Sequence, residues 1–537
     1  MKKGKFVRVS LALLALTMIL SACGSGAAST PAATTTTTAV SSAGTTTAAP
    51  ADSGGINTDE LMEVTIAIRG TGYTQEGSQI QKYFEEKYNV KMNFIVIPGP
   101  PDGNSKVNLL MADEKQRPDV IWWLGMDMDY AKWRNAGLLV DITEYYNKYH
   151  EIKDYYEKVS PDTMFFSQEA DGTIYRIPGD VSEPGTYTTL MRKDWMEKLN
   201  ISTPTTLDEY ADALRKMTFE DPDGNNVNDT YGFGGQGLDF TAFQPFWSAF
   251  EAIPSNFIRK ADGSIVYGAT QPEVKEALAY IQALYKEGVI DPSLMTQNEY
   301  NTEFVRGGHG SVYRWVSWMN VGGTTNKTFR ANNPGAEFVA LDPIQSASGY
   351  SSDAPGAAKA WSHFGITNVA KDPERIYAML DDMVNSENWI IRQFGFENEQ
   401  YKIENGLYAS LLEGDQNVKE NIGVTLFRDY VNRKDEANIA NSPDVVALFN
   451  KRAETSRADY ARICYFKTVD LPVWQAYGSE LEKLRDEYIW GILSGSRPID
   501  DFDKFVDLFY ASGGKEAEAE AAEVMAAQDA EYANYNK

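Results

Sequence analysis

Oxygen-bearing side chains recur at alternate positions after Phe219, a spacing that suits coordination of a hard metal cation. Asp221, Asp223, Asn225 and Asp229 stand at positions one, three, five and nine of one segment, and Val227 would offer its main-chain carbonyl at position seven. This is the ligand order of a calcium loop of the EF-hand type, in which a curled backbone turns its oxygens towards one point. We therefore predict a structural Ca2+ ion in this loop, with no catalytic role.

Two positions depart from that loop pattern. Position six is Asn226 instead of Gly, although Asn tolerates the left-handed backbone better than most residues. Position twelve is Gly232, so the usual bidentate Glu is absent. The alternative interpretation is a polar turn, rich in Asp and Asn, that binds no metal.

A second candidate for chemistry is Cys23, which follows Leu20, Ser21 and Ala22 at the end of an apolar run. Four basic residues precede that run, which is too short for a transmembrane helix and is typical of a signal peptide. The motif resembles the bacterial lipobox. The resemblance implies that the Cys23 thiol is acylated, as with palmitate, and that residues 1–22 are removed as a lipoprotein signal peptide. An ordinary secretory signal is the alternative.

Aromatic and arginine side chains stand at the ends of several predicted strands. Open α/β sheets bind ligands beyond the carboxyl ends of their strands, and flat aromatic rings can stack on the apolar faces of sugars. Arginines there would donate hydrogen bonds to sugar hydroxyls or to a carboxylate. The candidate ligand-binding residues are Arg69, Tyr73, Trp122, Trp123, Trp247, Arg314, Trp315, Trp318 and Trp361. For each ring the alternative is a place in a hydrophobic core.

Enzymatic interpretations find little support in the sequence. The histidines are His150, His309 and His363, and none belongs to a zinc-protease motif or a nucleophile elbow. The glycine-rich segment 305–311 lacks the Lys-Ser/Thr of a phosphate-binding loop. We predict that the chain is not an enzyme, while the 76 acidic residues leave a glycosidase or lyase open as an alternative.

Composition limits the partners and the architecture. A net charge of -26 argues against nucleic acid and against adhesion to anionic lipid, so only the lipid on Cys23 is expected to reach the membrane. Residues 24–58 are mostly Ser, Thr, Ala, Gly and Pro, so residues 23–58 are predicted to be a lipidated cysteine followed by a disordered linker.

The remaining body exceeds what one core usually serves, which predicts two domains and, we expect, a monomer. Cys464 then has no disulfide partner and is predicted to be a packed thiol.

Hydrophobic periodicity predicts an α/β fold that positions these residues. Strands at 64–68, 92–97 and 119–123 alternate with helices around Phe84 and Leu110, an order that implies parallel pairing. A later helix is predicted to start at a capping box on Thr270 and to end before Gly288. The final segment, 515–537, is predicted to be a helix that frays or docks loosely.

Several stretches together resemble one family, the bacterial extracellular solute-binding proteins (family 1) that serve ATP-driven (ABC-type) oligosaccharide importers. The chain looks especially like LplA-like lipoproteins and is similar to alginate-binding proteins. The matching stretches include 108–112 with 117–122, 190–199, 221–232, 262–268, 284–292, 365–367 and 395–397. Similar proteins carry calcium in the loop, often with a Glu where this chain has Thr230, so Thr230 joins the candidate ligands.

The resemblance implies a two-lobed fold of the periplasmic-binding-protein type (type II), with hinge crossovers and a central cleft. Lobe 1 is expected at 59–184 and 350–432, and lobe 2 at 185–349 and 433–537. The implied function is capture of an oligosaccharide or glycan fragment for an ABC permease, at the extracellular face of the cell membrane. The alternatives are a polysaccharide-degrading surface lipoprotein and a protein that binds peptides or another solute.

Overall fold

The computed structural model describes residues 56, 58–69, 76–99, 102–181, 185–296, 304–319, 324–353, 360–414, 416–427, 430–433, 436, 440–467 and 470–535. The predictions for the signal peptide, for Cys23, for Tyr73 and for nearly all of the linker fall outside these ranges. Within them, no helix has both the length and the apolar character needed to cross a membrane.

The strands and helices alternate along most of the chain. In chain order, the strands are β1 Met62–Arg69, β2 Val90–Ile97, β3 Val120–Leu124, β4 Ile177–Val181, β5 Tyr187–Arg192, β6 Tyr231–Phe233, β7 Phe257–Arg259, β8 Ile265–Tyr267, β9 His309–Trp315, β10 Phe338–Leu341, β11 Ala360–Ile366, β12 Tyr401–Glu404 and β13 Leu407–Ser410.

The helices pack around these strands. They are α1 Gln79–Tyr88, α2 Asp102–Ala112, α3 Asp127–Asn135, α4 Thr143–Lys148, α5 Glu151–Val159, α6 Pro161–Ser167, α7 Lys193–Lys198, α8 Leu207–Phe219, α9 Gln244–Ala249, α10 Pro272–Glu287, α11 Thr324–Asn332, α12 Pro373–Asp382, α13 Ser386–Phe394, α14 Gln416–Lys419, α15 Pro443–Thr455, α16 Arg457–Arg462, α17 Pro472–Leu493, α18 Asp501–Phe509 and α19 Lys515–Tyr535.

The first sheet has the strand order β2-β1-β3-β11-β4. β1 pairs in parallel with β2 and β3, as the alternation of strands and helices predicted, and β11 runs antiparallel to β3 and β4. Val64, Ile66 and Ile68 of β1 are buried, and so is Ala67 between them. Both faces of this strand are therefore covered, as is usual where helices flank a parallel sheet.

The second sheet has the order β10-β5-β9-β6, with β5 antiparallel to its two neighbours and β6 parallel to β9. α10 begins at Pro272 and ends before Gly288, whose φ of 83° suits glycine at the end of a helix. The predicted capping box is wrong, because the N-cap is Gln271 and the Thr270 hydroxyl donates to the Tyr267 carbonyl.

The two sheets are built around separate hydrophobic cores, which confirms the two-lobed α/β fold. One core holds residues from Ile56 to Ile177 and from Phe364 to Val431, and the other holds residues from Met191 to Ile344 and from Cys464 to Met525. The chain passes between the sheets after β4, after β10 and again after Val431. The exact lobe boundaries stay a prediction.

The last helix corrects one expectation. Ala517, Ala521, Met525 and Gln528 of α19 are buried, spaced by roughly one helical turn, and the helix packs on α17 and β8. It therefore docks firmly along one face, and the predicted loose association is wrong for residues 515–535. Cys464 is free and buried, as predicted.

Candidate functional site

A group of aromatic and polar side chains lies where β9 ends and β5 begins. In the register of these strands Tyr187 is opposite Trp315, and Thr188 is opposite Arg314. Trp318 follows in the helical turn Val316–Met319. β5 starts directly after the chain leaves the first sheet, so this end of the second sheet faces the connections between lobes. We call Tyr187, Gln236, Arg314, Trp315 and Trp318 the Arg314 cluster.

Arg314 is the centre of this cluster. Its Cζ lies 4.1 Å from the ring centroid of Trp315 and 5.6 Å from that of Trp318, so the guanidinium covers indole faces. Nη2 donates a hydrogen bond of 2.8 Å to Oε1 of Gln236. Only 7% of the residue is exposed. A planar cation is thus held in one orientation at the end of the strand.

Tyr187 and Trp315 form the more open part of the cluster, and both are half-buried. The Tyr187 ring stacks on Tyr313 with centroids 5.7 Å apart, and it is tilted against Trp315 at 5.8 Å. Burial raises the pKa of Tyr187, an effect that nearby Arg314 opposes. The hydroxyl therefore stays protonated at neutral pH and can both donate and accept hydrogen bonds.

A buried ion pair contacts the main chain of the cluster at Tyr187. Arg452 is fully buried, its Nε donates to the Tyr187 carbonyl at 3.2 Å, and its guanidinium pairs with the carboxylate of Asp353. Asp353 lies between β10 and β11, and Arg452 lies on α15. The pair therefore links the segment that connects β10 to β11 with the helix α15, which follows the last passage of the chain between the sheets.

Three of the predicted cleft tryptophans are core residues in this structure. Trp122 and Trp123 stand on β3, the central strand of the first sheet, and their side chains are buried although successive residues of a strand point to opposite faces, so both faces of the sheet are covered here. Trp123 packs between Tyr130 and His363. Trp247 is fully buried, and its Nε1 donates to the Phe240 carbonyl at 2.8 Å. The structure thus corrects the expectation that these rings line a cleft.

The remaining predicted residues are placed as follows. Arg69 is the last residue of β1 and is half-buried. Trp361 belongs to β11, but its side chain lies outside the described residues, as does the whole of Tyr73. Arg314, Trp315 and Trp318 are brought together, and Trp318 also belongs to a small hydrophobic core beside Phe304. Whether these three residues bind a ligand stays a prediction.

In the predicted calcium loop, the side-chain amide of Asn225 bridges two carboxylates. Nδ2 of Asn225 donates to Oδ2 of Asp223 at 2.8 Å and to Oδ1 of Asp229 at 3.1 Å. Asp221 accepts the backbone N–H groups of Gly224, Asn225 and Asn226. Burial raises the pKa of Asp223, and the charges of Asp229 and Asp221 add to the rise. The charges of Asp229 and Asp221 therefore disfavour the ionisation of Asp223.

These residues do not form a finished cation site in this structure. No three His, Cys, Asp or Glu side chains of the described ranges are already placed to hold a metal ion. If the Asn225 amide turned over, its oxygen would replace the nitrogen that now faces Asp223 and Asp229. Thr230 donates its hydroxyl to the Met217 carbonyl at 3.0 Å, so its side chain is engaged with α8 instead of the loop.

A cavity of about 300 Å³ adjoins the loop instead of the Arg314 cluster. Asp223, Asp229, Asp291, Arg306 and His309 are among its lining residues. His309 begins β9 and Trp315 ends it, so the cavity and the cluster lie at opposite ends of the strand, roughly 20 Å apart. The Nε2 atom of His309 lies 2.7 Å from Oδ2 of Asp291. The cavity is lined by carboxylates and arginines, whereas the cluster carries aromatic faces beside a single guanidinium.

Comparison with known proteins assigns the family. The sequence model for bacterial extracellular solute-binding proteins matches residues 71–380, more than half of the chain. The chain belongs to this family. The predicted resemblance is thereby confirmed.

Relatives in this solute-binding family match over most of their length. Lipoprotein LipO of Bacillus subtilis (strain 168) is 23% identical, over 80% of this chain and 86% of its own. The polygalacturonan/rhamnogalacturonan-binding protein YtcQ of the same organism is 23% identical, over 71% of this chain and 75% of its own.

Solved structures share the fold of this solute-binding chain. The alginate-binding protein AlgQ2 without calcium ion superposes with a TM-score of 0.69 at 17% identity, covering 87% of this chain and 98% of its own. The substrate-binding protein FusA of Streptococcus pneumoniae in complex with kestose superposes with a TM-score of 0.67 at 16% identity, covering 88% of this chain and 100% of its own.

Sequence reasoning missed two members of the cluster, Tyr187 and Gln236. Tyr187 begins its strand instead of ending it, so the expectation that ligands bind beyond the carboxyl ends of strands does not predict it. Because β5 runs antiparallel to β9, its first residue nevertheless lies beside Trp315. Gln236 lies in the loop 234–239 after β6, where only its contact with Arg314 distinguishes it.

Proposed function

We propose that this solute-binding protein captures an oligosaccharide or glycan fragment at the Arg314 cluster and hands it to the transmembrane subunits of an ABC importer, without catalysing a reaction. The observation that carries the proposal is the half-buried Tyr187 and Trp315 beside an oriented guanidinium. Rings offer apolar faces to a sugar, and the polar groups bind its hydroxyls. The names of the relatives YtcQ and FusA, which refer to polygalacturonan, rhamnogalacturonan and fructooligosaccharide, support a carbohydrate ligand.

The proposed location is the extracellular face of the cell membrane, with a monomeric body held by a lipid on Cys23. The lipobox-like Leu20-Ser21-Ala22-Cys23 supports this anchor. Labelled palmitate should be incorporated into the wild-type chain and not into a Cys23→Ala variant. Equal labelling of both would contradict the anchor.

The loop from Asp221 to Asp229 is proposed to bind a structural calcium ion. Asp221, Asp223 and Asp229, the turned-over amide of Asn225 and the carbonyl of Val227 would hold it, and the ion would neutralise their mutual repulsion. The convergence of Asp223 and Asp229 on one side-chain amide supports this assignment.

Titration calorimetry with a panel of neutral and acidic oligosaccharides tests the glycan-binding role. We expect saturable binding without turnover, and at least about tenfold weaker binding by Trp315→Ala, because a central aromatic contact is lost. Phe219→Ala is the matched control, since this ring is 54% exposed and lies beside the calcium loop. Release of shorter sugars on incubation would instead identify a glycan-degrading enzyme. Indifference to every sugar would reject carbohydrate binding.

A further inference from the structure

The Arg452–Asp353 ion pair lies where the three passages of the chain between the sheets come together. Arg452 belongs to α15, which follows the third passage, and Asp353 belongs to the second passage, between β10 and β11. The Tyr187 carbonyl, which accepts from Nε of Arg452 at 3.2 Å, lies just after the first passage. The two charged side chains are 0% and 1% exposed, so one buried guanidinium links all three connections.

Hydrogen bonds fasten the second passage to α15 and α16. The Ser456 hydroxyl donates to the Asp353 carbonyl at 2.8 Å. The backbone N–H of Asp459 donates to the Ser352 hydroxyl at 3.2 Å, and the Tyr350 hydroxyl donates to the Asp459 carboxylate at 2.7 Å. The main chain of the passage is therefore held as well as its charge, which fixes the position of Asp353 relative to the two helices.

The first passage runs directly against α15. Gly185 is buried and has a φ of 89°, a backbone conformation that suits glycine. A Cβ atom on this residue would lie 2.3 Å from the backbone nitrogen of Ala453, so no larger side chain fits between the passage and the helix. Because Ala453 is the residue after Arg452, this close approach brings the Tyr187 carbonyl within reach of the guanidinium.

Arg452 also borders the Tyr187 ring through Tyr313. Tyr313 is buried, and its ring is stacked on that of Tyr187, with centroids 5.7 Å apart and planes 12° from parallel. Burial raises the pKa of Tyr313, and the charge of Arg452 opposes the rise, so the guanidinium and this phenol interact. Arg452 therefore constrains Tyr187 directly at its main chain and, through a neighbour, at its ring.

We propose that Arg452 is a positioning residue of the glycan site, which holds Tyr187 in the Arg314 cluster and is itself held by Asp353. The inference rests on the proposed glycan-binding function, and it adds that the connections between the lobes determine the shape of the site. Because its side chain is fully buried, Arg452 does not contact the sugar. A guanidinium that is paired and buried has a fixed orientation, so Tyr187 is in place before a ligand arrives and little conformational entropy is lost on binding.

Removal of both charges separates this role from a contribution to stability. The single variant Arg452→Met leaves the Asp353 carboxylate buried without its cation, so its thermal midpoint should fall. The double variant, Arg452→Met with Asp353→Val, replaces the pair by apolar side chains of similar total volume. Its midpoint should return to within a few degrees of the wild type, because two buried charges are removed together.

The double variant should nevertheless bind glycan poorly, because nothing then orients the Tyr187 carbonyl. It is titrated with the panel of neutral and acidic oligosaccharides, maltotriose and trigalacturonate among them. The sugar that the wild type binds tightest should bind about tenfold more weakly. Hydrogen exchange should be about tenfold faster at the backbone amides of residues 185–188, since the first passage is no longer tied to α15. Amides of β1 should exchange at the wild-type rate.

Lys87→Met is the matched control. Nζ of Lys87 lies 3.0 Å from Oδ2 of Asp382, and this mostly buried pair joins α1 to α12 beside the first sheet. The control should lower the midpoint and leave both sugar affinity and the exchange of residues 185–188 unchanged. Near-ultraviolet circular dichroism verifies that each variant is folded. If the double variant does not fold, Arg452→Lys decides, because it keeps a charge opposite Asp353 and lacks the Nε donor.

Four results overturn the inference. If the double variant recovers affinity and exchange together with its midpoint, the ion pair only stabilises the fold. If exchange of residues 185–188 rises while affinity stays the same, Tyr187 is not part of the glycan site, although glycan binding stands. If affinity falls without faster exchange, or falls equally in Lys87→Met, the loss does not arise from Tyr187. If no oligosaccharide binds the wild type, the proposed function fails and this inference fails with it.

Discussion

Among single residues, Asp381 is a buried carboxylate, with only 4% of the residue exposed. It lies on α12 and accepts the backbone N–H groups of Glu151 at 3.1 Å and Ile152 at 2.9 Å, at the start of α5. Burial raises its pKa to about 6, and the two hydrogen bonds only partly oppose this effect. The side chain therefore satisfies a helix terminus at the cost of desolvating a charge.

The raised pKa has a definite effect on stability. Between about pH 4 and pH 6 the folded state holds a proton on Asp381 that the unfolded state has released, so stability falls as pH rises through this range. The loss is on the order of 3 kcal/mol, at about 1.4 kcal/mol for each unit of pKa difference. It is complete above about pH 6.

We predict that Asp381→Asn removes this titration. The amide oxygen still accepts one backbone N–H, so the helix terminus keeps part of its cap. Measured by calorimetry from pH 4 to pH 7, the thermal midpoint of the variant should rise relative to the wild type as pH increases. A difference between the two proteins that does not vary with pH would contradict the raised pKa.

At the scale of elements, local patterns predicted most of the fold. The strands around Ile66 and Ile95, the helix around Phe84 and the glycine end of α10 are confirmed, because each depends on neighbouring residues. The capping box failed because the Tyr267 carbonyl accepts the Thr270 hydroxyl, and this competing contact comes from a turn outside the helix.

The candidate site was only partly predictable for the same reason. Arg314 and Trp315 were predicted because ligands bind beyond the carboxyl ends of strands. The structure brings them together with Trp318. Trp122 is buried because β11 pairs with β3, and in that register it is opposite Phe364, far along the chain. Pairing between distant strands is not encoded in local periodicity, so the sequence could not separate core tryptophans from cleft tryptophans.

The loop between α8 and β6 carries a prediction about metal dependence. If calcium bridges Asp221, Asp223 and Asp229, chelation with EGTA should lower the thermal midpoint and added calcium should restore it. At a concentration about 100 times the dissociation constant the ion would contribute about 2.7 kcal/mol. This corresponds to a shift of several degrees for a chain of this size.

Two variants separate the loop from unspecific effects of calcium. Asp223→Asn should abolish the calcium-dependent shift, because it removes one of the converging charges. Asp262→Asn should leave the shift intact, since Asp262 lies in an exposed turn and accepts hydrogen bonds only from Ser264 among its described partners. An identical midpoint with calcium and with EGTA would exclude the site.

At the scale of the whole molecule, helices that pack on the two sheets contact each other away from the segments that connect the lobes. Phe165 on α6, which packs on the first sheet, meets Tyr532 of α19 at 4.9 Å and Tyr535 at 5.3 Å. Arg134 on α3 pairs with Asp470, just before α17, at 2.9 Å. Lys467 also lies over the Phe165 ring at 4.4 Å, and Phe165 is only 1% exposed, so bending between the lobes must keep or rearrange these contacts.

Such a molecule should close around its ligand. A sugar that contacts both lobes binds the closed state better and shifts the population towards it. We predict that a saturating oligosaccharide lowers the radius of gyration measured by small-angle X-ray scattering. Trp315→Ala, at the same sugar concentration, should stay closer to the free value, because its site is less occupied. A saturated wild type with an unchanged radius would mean that binding uses one lobe alone, and the Arg314 cluster would then be a surface site instead of one wall of a cleft.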